Sequence, residues 1–87
     1  MSSAEVMSFP CELTIKVMGN NQPEFIAAML AIFREHCPDL SEAGISTLPS
    51  KTDKFLSLSV TVNAKSKAQM DELYEALTSH ELSLFVL

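Results

Sequence analysis

Two cysteines, two histidines and a group of carboxylates are the side chains in this sequence that could carry chemistry. Cys37 directly follows His36, and a nucleophile needs a base turned toward it. Adjacent residues on a helix do not face one another, so this spacing argues against a thiol–imidazole pair. His80 falls in a segment that reads as a loop, where side chains are mostly surface. Asp71, Glu72 and Glu75 share the outer face of a helical segment and read as solvated charge rather than paired acid and base. The cysteines form no C-x-x-C pair, the histidines no H-x-x-x-H, and no calcium-loop spacing occurs. A Gly-rich phosphate loop is also missing. The expectation is therefore no metal, no cofactor and no enzymatic activity.

The elements that position these residues come from hydrophobic periodicity. Residues 11–18 alternate, with Leu13, Ile15 and Val17 on one face and Glu12, Thr14, Lys16 and Met18 on the other. Period two with β-branched residues predicts a half-buried strand. Gly19-Asn20-Asn21 reads as its end, since Gly and Asn tolerate the positive φ of a sharp turn. Residues 23–37 repeat at three and four through Ile26, Met29, Leu30, Phe33 and Cys37, a helix with one apolar stripe. Pro23 suits its first turn, Asn21 or Gln22 its cap, with Glu24 completing a capping box if Asn21 is the cap. Pro38 ends it.

Residues 43–49 read as a short strand around Ile45 and Leu48 whose facing is ambiguous, and 49–54 as a turn. Residues 55–63 are the cleanest strand: Leu56, Leu58, Val60 and Val62 inward, Phe55, Ser57, Ser59, Thr61 and Asn63 outward. Residues 66–79 form a second helix, opened by the capping box Ser66–Gln69 and striped by Met70, Leu73, Tyr74 and Leu77. Residues 81–87 complete the set as a strand with Leu82, Leu84 and Val86 inward and Ser83, Phe85 and Leu87 outward.

The order β-α-β-β-α-β, with one stripe per helix, predicts an α+β ferredoxin-like sandwich: a four-stranded antiparallel sheet with two helices on one face. Its first and third strands are central. Residues 1–8 read as a flexible leader and 9–87 as the single domain. The 87 residues carry a net charge of −5, which disfavours nucleic acid as a partner. The outward residues of the third strand also lack the stacking aromatics of an RNA-recognition module. The loop after the first strand lacks the arginine of an acylphosphatase clamp. No apolar run is long enough to span a membrane, the N-terminus does not read as a signal peptide, and two cysteines fit a reducing compartment. The expected location is cytoplasmic.

This topology gathers the Gly19–Gln22 loop, the Pro49–Lys54 hairpin and the Ser79–His80 loop at one end of the sheet. A small-molecule site, if the protein has one, belongs there, with Gly19, Asn20, Asn21 and Lys51 as its ligand-binding residues. Met18 and Phe55 are expected as neighbours on the helix-free face at that end. With Phe85 and Leu87 they make a candidate partner surface.

The sequence resembles the YbeD-like family of small bacterial proteins. The resemblance spans Phe9 to Leu87. It rests on Phe9-Pro10, Lys16-Val17-Met18-Gly19, Pro49-Ser50, the run Ser57 to Ala64, Leu73-Tyr74 and the terminal Val86-Leu87. It implies a ferredoxin-like fold similar to the ACT-type regulatory domains of amino-acid metabolism, and no established activity. Gly19 and Pro23 fit the ACT turn, whereas Glu24 replaces the Gly that follows the Pro and adds bulk and charge. The hairpin, which often carries a Gly in that family, has Asp53. The expected function is a regulatory or adaptor domain acting by protein contact or self-association. The alternative is an ACT-like sensor of an amino acid or organic acid.

Overall fold

The computed structural model describes residues 8–87. The leader assigned to residues 1–8 lies, apart from Ser8, outside the described residues. The chain runs through β1 (Cys11–Asn20), α1 (Pro23–His36), a single 3-10 turn (Glu42–Gly44), β2 (Ile45–Pro49), β3 (Phe55–Ala64), α2 (Lys67–Ser79) and β4 (Phe85–Val86). The strands form one antiparallel sheet in the order β2-β3-β1-β4, the expected ferredoxin-like arrangement.

Alternation along the central strands sets which face is covered. Ile15 and Val17 of β1 and Leu58, Val60, Val62 and Ala64 of β3 are buried beneath the helices. Thr14 and Thr61 face the other way and bond through their hydroxyls at 2.9 Å. A slip of one residue would turn the whole apolar set outward, so this pattern holds β1 and β3 in register from Cys11–Ala64 to Asn20–Phe55.

The stripe of α1 is rotated from the expected one. Phe25, Met29, Phe33 and Cys37, spaced at four, are buried, and Ile26 and Leu30 flank them half-buried. From α2, Met70, Leu73 and Leu77 complete the core. Each fully buried side chain of this size contributes about 1.5–3 kcal/mol. Ser66 caps α2 as expected, accepting from the Gln69 N–H at 3.1 Å. The Asn21–Glu24 box does not form: Gln22 is the N-cap of α1 and makes no side-chain cap bond. Pro23 in the first turn already removes one N–H that would need a partner.

Two further corrections concern chain ends. The last strand spans Phe85–Val86 rather than 81–87, because residues 80–83 turn, with Ser83 N–H donating to the His80 carbonyl at 3.1 Å. Leu84, expected inward, is 54% exposed: its N–H donates to the Met18 carbonyl at 2.9 Å, but it leaves the turn at the open edge of the sheet; Leu82 and Val86 do pack on the core.

Gly19 and Asn20 belong to β1, opposite Leu56 and Phe55, and Gly19 does not have positive φ. The reason for glycine is proximity. A Cβ at position 19 would overlap the ring of Phe25 and lie 2.7 Å from the Leu82 carbonyl oxygen. The missing side chain lets the first turn of α1 seat its phenyl ring directly on the sheet. Gly19→Ala is expected to lower stability by about 1–3 kcal/mol through overpacking, read as a shift of the urea-unfolding midpoint at unchanged slope.

Candidate functional site

The end of the sheet marked out by the sequence is assembled as expected, but Asn21 and the hairpin backbone are already bonded to one another. The Asn21 N–H donates to the Lys54 carbonyl at 3.0 Å, and the Asn21 side-chain amide donates to the Asp53 carbonyl at 3.0 Å. Asp53 holds a left-handed conformation with φ 60, one that aspartate accepts more readily than most residues. Asp53 can therefore stand at a turn position that would also suit a glycine. Ser50 closes the hairpin: its hydroxyl accepts from the Phe55 N–H at 3.1 Å, and its carbonyl from the Asp53 N–H at 3.0 Å.

Of the four residues expected around a ligand, Asn20, Asn21 and Lys51 come to this end and are exposed. Gly19 is buried beneath Phe25 and the Leu82 backbone, so it offers no open backbone for a ligand to approach. The four do not form one cradle.

The helix-free face at the same end is different in kind. Leu48 stands opposite Ser57, Ser57 opposite Met18, and Met18 opposite Phe85, so one row crosses all four strands. Leu48 is 69% exposed and Phe85 55%. Phe55 lies beyond the row, opposite Asn20, and Leu87 lies on its other side, bonded through both backbone groups to Lys16. The structure thus brings together all four residues of the expected partner surface, Met18, Phe55, Phe85 and Leu87. It adds Leu48, whose facing the sequence left open. Its pairing partner, the outward Ser57, settles the matter: residues opposite each other across an antiparallel pair share a face.

The residues considered for catalysis are elsewhere and have structural partners. Cys37 is buried at the end of α1, and burial pushes its thiol above the ordinary range, with Asp39 adding to that and Lys65 opposing it. A thiol held protonated is a poor nucleophile. Gln69 reaches across from α2: its amide donates to the His36 carbonyl at 2.8 Å and to Cys37 Sγ at 3.6 Å, while its Oε1 accepts from the Lys65 N–H at 2.7 Å. The Gln of the capping box therefore ties together the end of α1 and the start of α2. His80 Nδ1 accepts from the Leu82 N–H at 3.1 Å and shapes the turn into β4. Asp71, Glu72 and Glu75 are exposed, and Asp71 pairs with Lys67 at 2.7 Å. Among the described residues, no group of three or more His, Cys, Asp or Glu is placed to hold a metal ion. No helix among them is long and apolar enough to cross a membrane.

The sequence profile of the family described as "Protein of unknown function (DUF493)" matches residues 4–87. The chain belongs to this family. Relatives carrying the name UPF0250 protein share it over nearly full length. That of Neisseria gonorrhoeae is 41% identical over 86 residues, covering 99% of this chain and 94% of the relative. That of Chromobacterium violaceum is 37% identical over 83 residues, covering 95% and 93%, and that of Nitrosomonas europaea 32% over 87, covering 100% of both. Among solved structures, the solution structure of protein HP0495 from H. pylori superposes with a TM-score of 0.73 over 100% of this chain and 94% of that one. Its identity is 14%, so it shows a shared fold. The expected YbeD-like membership and ferredoxin-like architecture both hold for this DUF493 chain.

Three outcomes follow from the site's geometry. In the native protein a maleimide should label Cys37 only as fast as the fold opens, whereas urea should expose it at once; rapid native labelling would contradict the burial. Because the folded thiol's pKa lies above its unfolded value of about 8.5, its contribution to stability is complete below that pH and declines as pH rises through the folded value. The alkaline fall in stability should therefore be shallower in Cys37→Ala. Gln69→Leu should cost about 0.5–1.5 kcal/mol, because it removes the bonds that tie the Lys65 N–H and the His36 carbonyl together; urea unfolding measures it.

Proposed function

We propose that this protein is a non-catalytic regulatory or adaptor domain that works in the cytoplasm by protein–protein contact through the helix-free face of its sheet. The observation that carries this reading is the row Leu48–Ser57–Met18–Phe85 across all four strands, three of its four residues apolar, with Phe55 and Leu87 beside it. Contiguous exposed apolar surface costs solubility, and it commonly marks an interaction site. The rest of the same face is polar, with Thr14, Thr61, Glu12 and Asn63 at its other end, so the apolar residues are localised rather than scattered.

The alternative, a small-molecule sensor at the loop end, draws less support. The Asn21 groups that would meet a ligand are bonded to the hairpin, and Gly19 is covered. A regulatory domain also accounts for Cys37 and His80 having structural rather than reactive surroundings.

The test uses the tagged full-length protein as bait in extract from its native cells, with light scattering at several concentrations to read self-association. The double variant Leu48→Asp, Phe85→Asp should lose at least ten-fold of whichever association the parent shows, with an unchanged melting temperature. A parent that is strictly monomeric and captures nothing, or a double variant that associates as well as the parent, would overturn the proposal.

A further inference from the structure

The six Lys and Arg residues divide into two sets. Arg34 pairs with Glu42 at 2.8 Å, Lys65 with Asp39 at 3.6 Å and Lys67 with Asp71 at 2.7 Å, all on the helical side of the molecule or its connections. Among the described residues, Lys16, Lys51 and Lys54 pair with no carboxylate, and all three are exposed around the apolar row. Lys16 lies on the helix-free face next to Met18, in the row that joins Ser59 and Leu87. Lys51 and Lys54 lie in the hairpin on the opposite flank, beyond Phe55. Asp53 is the acidic side chain of that hairpin. Glu12 stands four residues from Lys16 along β1, about 13 Å away, and Glu81 lies in the turn before β4. In a chain of net charge −5, an apolar stripe with cations on both flanks is a local inversion.

From this arrangement we infer that the helix-free face takes an acidic amphipathic segment of a partner protein, its apolar stripe on Leu48, Met18 and Phe85 and its carboxylates toward Lys16 on one side and Lys51 and Lys54 on the other. Four strands at about 4.8 Å give the row a span of about 14 Å, the length of about ten helical residues. Charge complementarity selects this occupant. A second copy laying the same face on the first would bring the three lysines toward their own duplicates, and like charges set together disfavour a pairing. This inference rests on the proposed role of the face and adds the chemistry of what covers it.

The experiment places a photoreactive residue at the exposed β2 end of the row, Leu48→benzoylphenylalanine, in the full-length protein within its native cells, and sequences the cross-linked segment. The expected product is another protein, joined through a segment with apolar residues at helical spacing flanked by Asp and Glu. Lys16→Glu with Lys54→Glu should cut the yield at least ten-fold, while Lys65→Glu, on the other side of the molecule, should leave it within two-fold. A cross-link to a neutral or basic segment, a cross-link to this chain itself, or a yield indifferent to the charge reversal would overturn the inference and leave the protein-contact reading standing. No protein cross-link at position 48, nor at a second site with Phe85→benzoylphenylalanine, would overturn both.

Discussion

Two helices with one apolar stripe each can cover one face of a four-stranded sheet and no more. This constraint governs the rest of the molecule. The buried core draws on the inward residues of β1 and β3, the Phe25–Met29–Phe33–Cys37 stripe and the Met70–Leu73–Leu77 stripe. The two central strands and the two helices turn their apolar stripes there. The opposite face is left to solvent, and alternation fills most of it with Thr, Ser, Asn, Lys and Glu. Against that background, exposed Leu48, Phe55, Phe85 and Leu87 at one end lack a folding role. Burial elsewhere accounts for the sheet, and these residues are what it leaves unexplained.

The end of the sheet beside this patch illustrates how a site can be assembled and still be closed. Hydrogen bonds from Asn21 to the hairpin carbonyls join the β1–α1 loop to the β2–β3 turn. Phe25 sits on Gly19 and excludes whatever would approach the backbone there. The same contact anchors α1 on the sheet. A glycine that resembles a ligand-site glycine in sequence serves here as a seat for an aromatic ring, and the neighbouring open face keeps the accessible surface.

The strand faces of β1 and β3, the α2 cap and stripe, and the strand order were legible because each rests on local period or on a chain-crossing rule. The stripe of α1 was less so: Phe25, Ile26, Met29, Leu30 and Phe33 are apolar in a row, and rotation by one residue keeps a stripe. The spacing 25-29-33-37 was available, but the choice depends on Gly19 opening space beneath Phe25, a contact between elements. Leu84 fits the alternation of its neighbours, yet the turn held by His80 and Ser83 consumes the residues that would have paired before it. Leu48 was ambiguous because β2 is five residues long and exposed along most of its length; only its pairing with Ser57 assigns its face. Met18, Phe55, Phe85 and Leu87 were otherwise legible as outward residues, since parity along β1, β3 and β4 follows from the same alternation that builds the core.

The proposed role depends on the helix-free face meeting another protein. Backbone amide signals of the isotopically labelled protein, recorded in buffer and then in concentrated native extract, test it most directly. The amides of Met18, Leu48, Ser57 and Phe85 should shift or broaden while those of Asp71 and Glu75 on the outer helix surface do not. Perturbation confined to Asn20, Asn21 and Lys51, or a spectrum unchanged throughout, would contradict it.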